Sequence, residues 1–207
     1  LRVIGGAVSR NLALPDDPAA VTRRLELPSE YLLAVGTLEP RKAIESLFKA
    51  AAAPQYPDLP LVFVGPSRRG SRTIEEAIFE SGAPIGKIIP VAPLPDRDLA
   101  AVLARAKAFV IPSLHEGFGL SAVEAMHFGT PVVHSDAPAL VEVVDDAGVV
   151  VTDRYASDYP EHLAATIGDV VEDDDRLARL SVAGQDRSHA FSWRDSAEKV
   201  WQLHADL

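Results

Sequence analysis

Six short runs of aliphatic and β-branched residues punctuate the chain: Tyr31–Val35, Leu61–Val64, Lys87–Val91, Ala108–Ile111, Pro131–His134 and Gly148–Val151. Each is too short for a stable helix and too apolar for a solvent-facing strand, so each reads as a strand covered on both faces. Helical stretches separate most of them: Ala43–Ala53, Arg72–Glu80, Asp96–Ala106, Leu120–Phe128 and Ala139–Val144. Strands alternating with helices predict an α/β fold with a six-stranded parallel sheet. A short helix over Ala19–Leu27 precedes the first strand, and Asp96 is placed to cap its helix. Beyond Ser157 helical patterns take over, at Tyr159–Glu172, Asp174–Ala190 and Trp193 to the end.

Ligands of such folds bind at the carboxyl ends of the strands. Three unusual loops fall on that edge: Gly36–Lys42, Gly65–Gly70 and Pro112–Gly119. The 207 residues suit one domain with a real core. The net charge of -10 argues against a general nucleic-acid or membrane-coating surface, and the absence of cysteine excludes disulfides and thiolate metal sites. No apolar run approaches the roughly 18 residues of a membrane-spanning helix.

The third loop carries the most information. Strand Ala108–Ile111 leads through Pro112-Ser113-Leu114-His115-Glu116-Gly117-Phe118-Gly119 into a helix closed by Gly129 and Pro131. A glycine turn before a helix offers free backbone N–H groups to an anion such as a phosphate. Glu116 lies in the turn and Glu124 about one helical turn further on. Ionised carboxylates at two depths suit hydroxyl-rich groups on either side of a phosphate. An ordinary strand-to-helix turn with both glutamates solvated is the alternative.

Arg41 and Lys42 follow the first strand on the same edge. Two cations there suit a diphosphate leaving group. As a solvated pair they would sit unfavourably at a helix N-terminus. Arg68 and Arg69 are further phosphate candidates, although a flexible surface loop fits them better. His115 reads as a packed, hydrogen-bonded residue. The other five histidines show no ligand spacing, so no metal site is expected. Ser113 and Ser121 lack the context of a hydrolase nucleophile.

Glu116 and Glu124 in an E-x7-E arrangement, preceded by Gly36-Thr37-Leu38-Glu39-Pro40-Arg41-Lys42, resemble the retaining group 1 (family 4) glycosyltransferases of the GT-B fold. Pro131-Val132-Val133, Ala139–Val144 and Phe191-Ser192-Trp193 extend the likeness over most of the chain. The resemblance implies a Rossmann-like three-layer sandwich, the single C-terminal, donor-binding domain of a two-domain enzyme. Residues 1–28 would be an inter-domain lead-in, 29–190 the nucleotide-sugar domain, and 191–207 a helix packing back towards an N-terminal acceptor domain.

The resemblance also implies roles. Glu116, with Lys42 and Arg41, would be catalytic: the glutamate at the sugar hydroxyls, the cations at the departing diphosphate. Gly36, Gly117, Phe118, Gly119 and Leu120 would hold the donor through their backbone, Glu124 the ribose, and the loop ending at Leu94 the base. Thr37 stands where many members carry an arginine, which leaves Arg41 to supply the second charge.

The implied reaction is transfer of a hexosyl, in particular a mannosyl, group from a nucleoside diphosphate sugar to a hydroxyl acceptor, with retention and without a metal or other cofactor. The setting implied is bacterial polysaccharide synthesis in the cytoplasm, peripheral to the inner membrane face. A non-catalytic nucleotide-sugar-binding module and a GT-B epimerase are the rival readings.

Overall fold

The computed structural model describes residues 5–70 and 72–205. In chain order these form α1 (Pro18–Arg24), β1 (Leu32–Val35), α2 (Ile44–Ala50), β2 (Leu61–Val64), β3 (Arg68–Arg69), β4 (Arg72–Thr73), α3 (Ile74–Ser81) and β5 (Ile88–Val91). There follow α4 (Asp96–Arg105), β6 (Ala108–Ile111), α5 (Leu120–His127), β7 (Val132–Ser135), α6 (Pro138–Val144), β8 (Gly148–Val151), α7 (Tyr159–Val171), α8 (Asp174–Ser188) and α9 (Trp193–Ala205).

Six strands make one sheet in the order β5-β2-β1-β6-β7-β8. Every pairing in it is parallel. The order reverses between β1 and β6, which is the switch point where doubly wound sheets open a ligand crevice.

Strand alternation builds two cores. Leu32 and Ala34 of β1, Leu61 and Phe63 of β2, and Ala108 and Val110 of β6 enter one core with Leu47, Phe48, Leu163 and Ile167. Leu33, Val62, Val64, Phe109 and Ile111 enter the other with Val102, Leu103, Val123, Met126 and Leu140. Successive side chains point to opposite faces, so a strand covered by helices on both sides must be apolar throughout. That accounts for the unbroken aliphatic runs and bears out the three-layer α/β sandwich.

Helix boundaries differ from the sequence reading by local rules. The expected helix over Ala43–Ala53 divides. Pro40–Lys42 forms one 3-10 turn, Ala43 takes a left-handed φ of 48°, and α2 ends at Ala50. Asp96 does not cap its helix: Pro95 occupies the cap position, and Asp96 is the first helical residue. The supposed flexible loop at Arg68–Arg69 is half of an antiparallel hairpin, with Arg68 opposite Thr73. Thr73 then caps α3 in a reciprocal capping box with Glu76.

The segment before α1 meets the start of α9. Trp193 Nε1 donates to the Val8 carbonyl at 2.9 Å, and Ser196 Oγ donates to the Gly5 carbonyl. Trp201 remains exposed on α9. No described helix is long and apolar enough to cross a membrane. Leu1–Ile4 of the expected lead-in, and Asp206 and Leu207 of the final helix, lie outside the described residues.

Candidate active site

The loops that leave β1 and β6 are neighbours at the switch point, and backbone hydrogen bonds join them. Leu114 N donates to the Arg41 carbonyl at 2.8 Å and His115 N to the same oxygen at 3.3 Å. The 3-10 turn makes this possible: Pro40 presets its φ, and Lys42 N closes it on the Glu39 carbonyl at 2.8 Å.

That contact aligns two side chains. Lys42 Nζ donates to Glu116 Oε1 at 2.6 Å, and Ser113 Oγ donates to the same oxygen at 2.8 Å. The Glu116 side chain is 8% exposed and that of Lys42 21%, so the pair is largely withdrawn from solvent. Oε1 is therefore committed. Oε2 faces Arg41 Nη1 at a looser 4.0 Å and remains the freer acceptor.

Arg41 is itself paired with Glu39, Nε to Oε2, at 2.6 Å. Burial acts to raise the Glu39 pKa, but the Thr37 hydroxyl and the guanidinium groups of Arg41 and Arg69 outweigh it and hold the carboxyl below its ordinary value. The charges of Arg41, Lys42, Glu39 and Glu116 thus cancel. The sequence reading had these cations free to face a phosphate; the structure gives each a carboxylate partner.

Gly119 closes the turn in the left-handed region at φ 93°, as the N-cap of α5. A Cβ there would approach Leu140 Cδ2 to 2.8 Å, so both backbone and space demand glycine. Gly117 is different: nothing lies within 4 Å of a Cβ built on it. Its lack of a side chain leaves open space beside Glu116. The half-buried Phe118 ring packs edge-on against Phe191, with centroids 5.8 Å apart. Leu120 begins α5, where the first N–H groups have no intrahelical acceptor.

Glu124 lies one turn into α5. Burial raises its pKa and the Asp96 carboxylate raises it further. Among the described residues no group donates a hydrogen bond to its carboxyl. Half-buried Leu94 packs into the second core just before α4. Arg41, Lys42 and Glu116 are thus brought together. Among the described residues no hydrogen bond or ion pair joins Glu124 to them.

Sequence reasoning missed the support beneath the loop. Arg154, after β8, donates from Nε to the Leu114 carbonyl at 3.0 Å and from Nη1 to Asp136 Oδ1 at 2.8 Å. Burial pulls the Asp136 pKa up, but Arg154 outweighs it and the carboxyl stays below its ordinary value. Tyr159 OH donates to the Pro112 carbonyl at 3.1 Å, and Ser135 Oγ donates to that of Ser113. His115 Nε2 and Tyr155 OH lie 2.8 Å apart, so the histidine is hydrogen-bonded as expected, but it is exposed and not packed. The only signal for this brace was a polar Thr152-Asp153-Arg154-Tyr155 segment directly after the last strand.

A cavity of about 200 Å³ lies against the site loops, lined by Leu38, Glu39, Pro40, Ile44 and Leu114. A cavity of about 520 Å³ lies elsewhere, between the Val8–Leu14 segment, His127, Phe128 and Gln185. Among the described residues no three His, Cys, Asp or Glu side chains cluster as metal ligands do.

The sequence model for "Glycosyl transferases group 1" matches residues 22–187. The chain belongs to that family. It is 34% identical over 168 residues to an O-antigen chain mannosyltransferase B of Escherichia coli, covering 80% of this chain and 43% of that protein. It is 32% identical over 210 residues to a D-inositol 3-phosphate glycosyltransferase of Nocardia farcinica, covering 92% of this chain and 46% of that protein. The chain therefore spans about half the length of the curated relatives it matches. Its fold is that of the Anabaena HepE protein solved with UDP-glucose, at a TM-score of 0.83 and 23% identity, covering 100% of this chain and 57% of that one.

Proposed function

We propose that this chain is the donor-binding half of a retaining hexosyltransferase, which moves a hexosyl group from a nucleoside diphosphate sugar to a hydroxyl acceptor. The observation that carries the reading is the Lys42–Glu116 pair, 2.6 Å long, at the switch point of a doubly wound sheet. Oε2 of Glu116 accepts a hydrogen bond from a hydroxyl of the donor sugar. Lys42 and Arg41 face the diphosphate and stabilise the charge that gathers on it as the bond to the sugar breaks. No metal or other cofactor is required, because the cations take that role.

The backbone of Gly117 to Leu120 holds the phosphates and the sugar, and Gly117 leaves room for the ring. The expected part of Gly36 is limited to shaping the loop, because its N–H is given to the Val64 carbonyl at 3.0 Å. Ribose hydroxyls donate to Glu124, which supplies the partners that its carboxylate lacks. The base lies along the loop ending at Leu94. The acceptor binds a second, N-terminal domain, towards which the segment before β1 and the exposed face of α9 lead. The span of half a relative supports that arrangement. Alone, the chain binds donor and transfers sugar poorly, because the other wall of the cleft is absent.

Mannose is the proposed sugar, supported by the likeness to an O-antigen mannosyltransferase. We further propose polysaccharide synthesis as the setting, in the cytoplasm and peripheral to the inner membrane face through the acceptor domain.

A thermal-shift panel of UDP-, GDP- and ADP-sugars against this chain tests the reading. A ligand at a hundred times its dissociation constant adds about 2.7 kcal/mol of stability. A clear rise in Tm with one nucleotide series is expected, and GDP-mannose giving the largest rise would support the sugar assignment. No shift with any of them overturns the donor site.

A further inference from the structure

Arg69 is a cation on this edge that the proposed site does not use. It sits on the hairpin that follows β2, and the base of that hairpin is anchored against the donor loop. A Cβ on Gly65 would come within 2.2 Å of the Gly36 carbonyl oxygen, so the two loops touch backbone to backbone. Ile74 N donates to the Ser67 carbonyl at 2.9 Å and closes the hairpin onto α3.

The three hairpin arginines have different fates. Arg72 is paired with Glu80 at 2.6 Å and with Glu45 at 3.3 Å. Arg68 folds onto its own turn, its Nε donating to the Gly70 carbonyl at 3.1 Å. Arg69 instead reaches across to β1's loop, its Nη1 donating to the Leu38 carbonyl at 3.4 Å. That bond is at the long limit and easily exchanged for a stronger acceptor. Among the described residues no carboxylate lies within 4.0 Å of Arg69, and its side chain is exposed.

Charge balance gives this placement its meaning. Arg41 and Lys42 are offset by Glu39 and Glu116, so that cluster is neutral as a group. A diphosphate carries negative charge on both phosphates and gains more when the sugar departs. The carboxylates of the cluster leave Arg41 and Lys42 to offset that charge only in part, and Arg69, which makes no ion pair among the described residues, is close enough for its charge to act on Glu39.

We propose that Arg69 is a further donor-binding residue: it leaves the Leu38 carbonyl to bind the diphosphate, and supplies the net positive charge that the Arg41–Lys42 cluster lacks. This rests on the donor-binding reading above. It predicts discrimination, because a cation at the second phosphate favours a nucleoside diphosphate over the monophosphate.

The test is calorimetric titration of the 207-residue chain, with UDP, GDP and ADP and with UMP, GMP and AMP. Wild type is compared with Arg69→Ala, Arg69→Lys and the control Arg68→Ala, each checked for an unchanged Tm. Arg69→Ala is expected to weaken the preferred diphosphate about tenfold, the scale of one exposed charge-assisted hydrogen bond. The monophosphate should change less than about twofold, the lysine variant should recover part of the loss, and Arg68→Ala should bind as wild type. Equal diphosphate affinity in Arg69→Ala, equal losses for mono- and diphosphate, or the same loss in Arg68→Ala would each overturn the role of Arg69 while leaving the donor site intact. Wild type that binds none of the diphosphates overturns the donor-site reading and this inference with it.

Discussion

Lys42 and Glu116 stand 74 residues apart in sequence, and their charged atoms meet at 2.6 Å. Neither residue reaches the other by local structure. The pairing exists because β1 and β6 are adjacent strands and their following loops share the Arg41 carbonyl. A partly buried pair of this kind is fragile to single substitutions, since removing one partner strands the other charge.

Lys42→Ala should therefore lower stability. Glu116 keeps the Ser113 hydroxyl and some solvent, so the loss is about 1–2 kcal/mol, less than for a fully buried pair. For a domain of this size that is a fall in Tm of about 3–6 °C. A double-mutant cycle with Glu116→Gln, followed by thermal denaturation, should return a favourable coupling. Additive single effects would mean that the pair is not formed in solution.

Glu124 should show the opposite trade. Its carboxyl has a raised pKa, so between the unfolded value and that raised value the folded state binds the extra proton. The wild-type domain consequently loses stability as pH rises through that window and regains it as pH falls. Glu124→Gln removes the charge beside Asp96, and Tm at neutral pH should rise by about 1–2 °C. Donor affinity should fall in the same variant, since the ionised oxygens that accept ribose hydroxyls are gone. Wild-type donor binding should weaken on acidification through the raised pKa. Isothermal titration at several pH values, beside melting curves of both proteins, checks both signs.

Glycine variants separate fold from site. Gly65→Ala must displace the Gly36 carbonyl, and Gly119→Ala adds a left-handed alanine and a clash with Leu140. Each should cost about 1–3 kcal/mol. Gly117→Ala meets open space and should melt as wild type while losing donor affinity, because only a ligand would feel the new methyl group. A stable Gly65→Ala, or a Gly117→Ala with full donor affinity, would count against these assignments.

Arg154→Ala tests the brace below the loop. Two hydrogen bonds to Asp136 and one to Leu114 are lost, for about 1–2 kcal/mol. Hydrogen exchange should quicken at Leu114 and His115 while β1 and β2 remain protected. Unchanged exchange at those two amides would show that the loop stands without the brace.

The parallel sheet was legible because burial on both faces leaves a plain mark, a run such as Leu61-Val62-Phe63-Val64 with no polar position. The glycine turn before α5 was legible because backbone geometry at Gly119 admits little else. The β3–β4 hairpin was not, since two arginines and a glycine look like any polar loop until their pairing is known. The neutralisation of Arg41 and Lys42 was hidden for a different reason: Glu39 is two residues away, but Glu116 becomes a neighbour only through strand order. Arg154 and Tyr155 sit in a loop whose own sequence does not say which strand end it will lie against. Asp96 shows how a local rule yields to tertiary context. Pro95 takes the cap position, and Asp96 becomes the first residue of the helix, where its charge raises the pKa of Glu124.

The central claim is that the β1–β6 crevice binds a nucleotide sugar through Lys42 and Glu116. The most direct measurement is equilibrium titration of wild type and Lys42→Ala with the nucleotide sugar that gives the largest thermal shift. Saturable one-to-one binding by wild type, weakened at least about tenfold in a folded Lys42→Ala, is the predicted result. Equal affinity in the two proteins, or no binding to wild type, would contradict it.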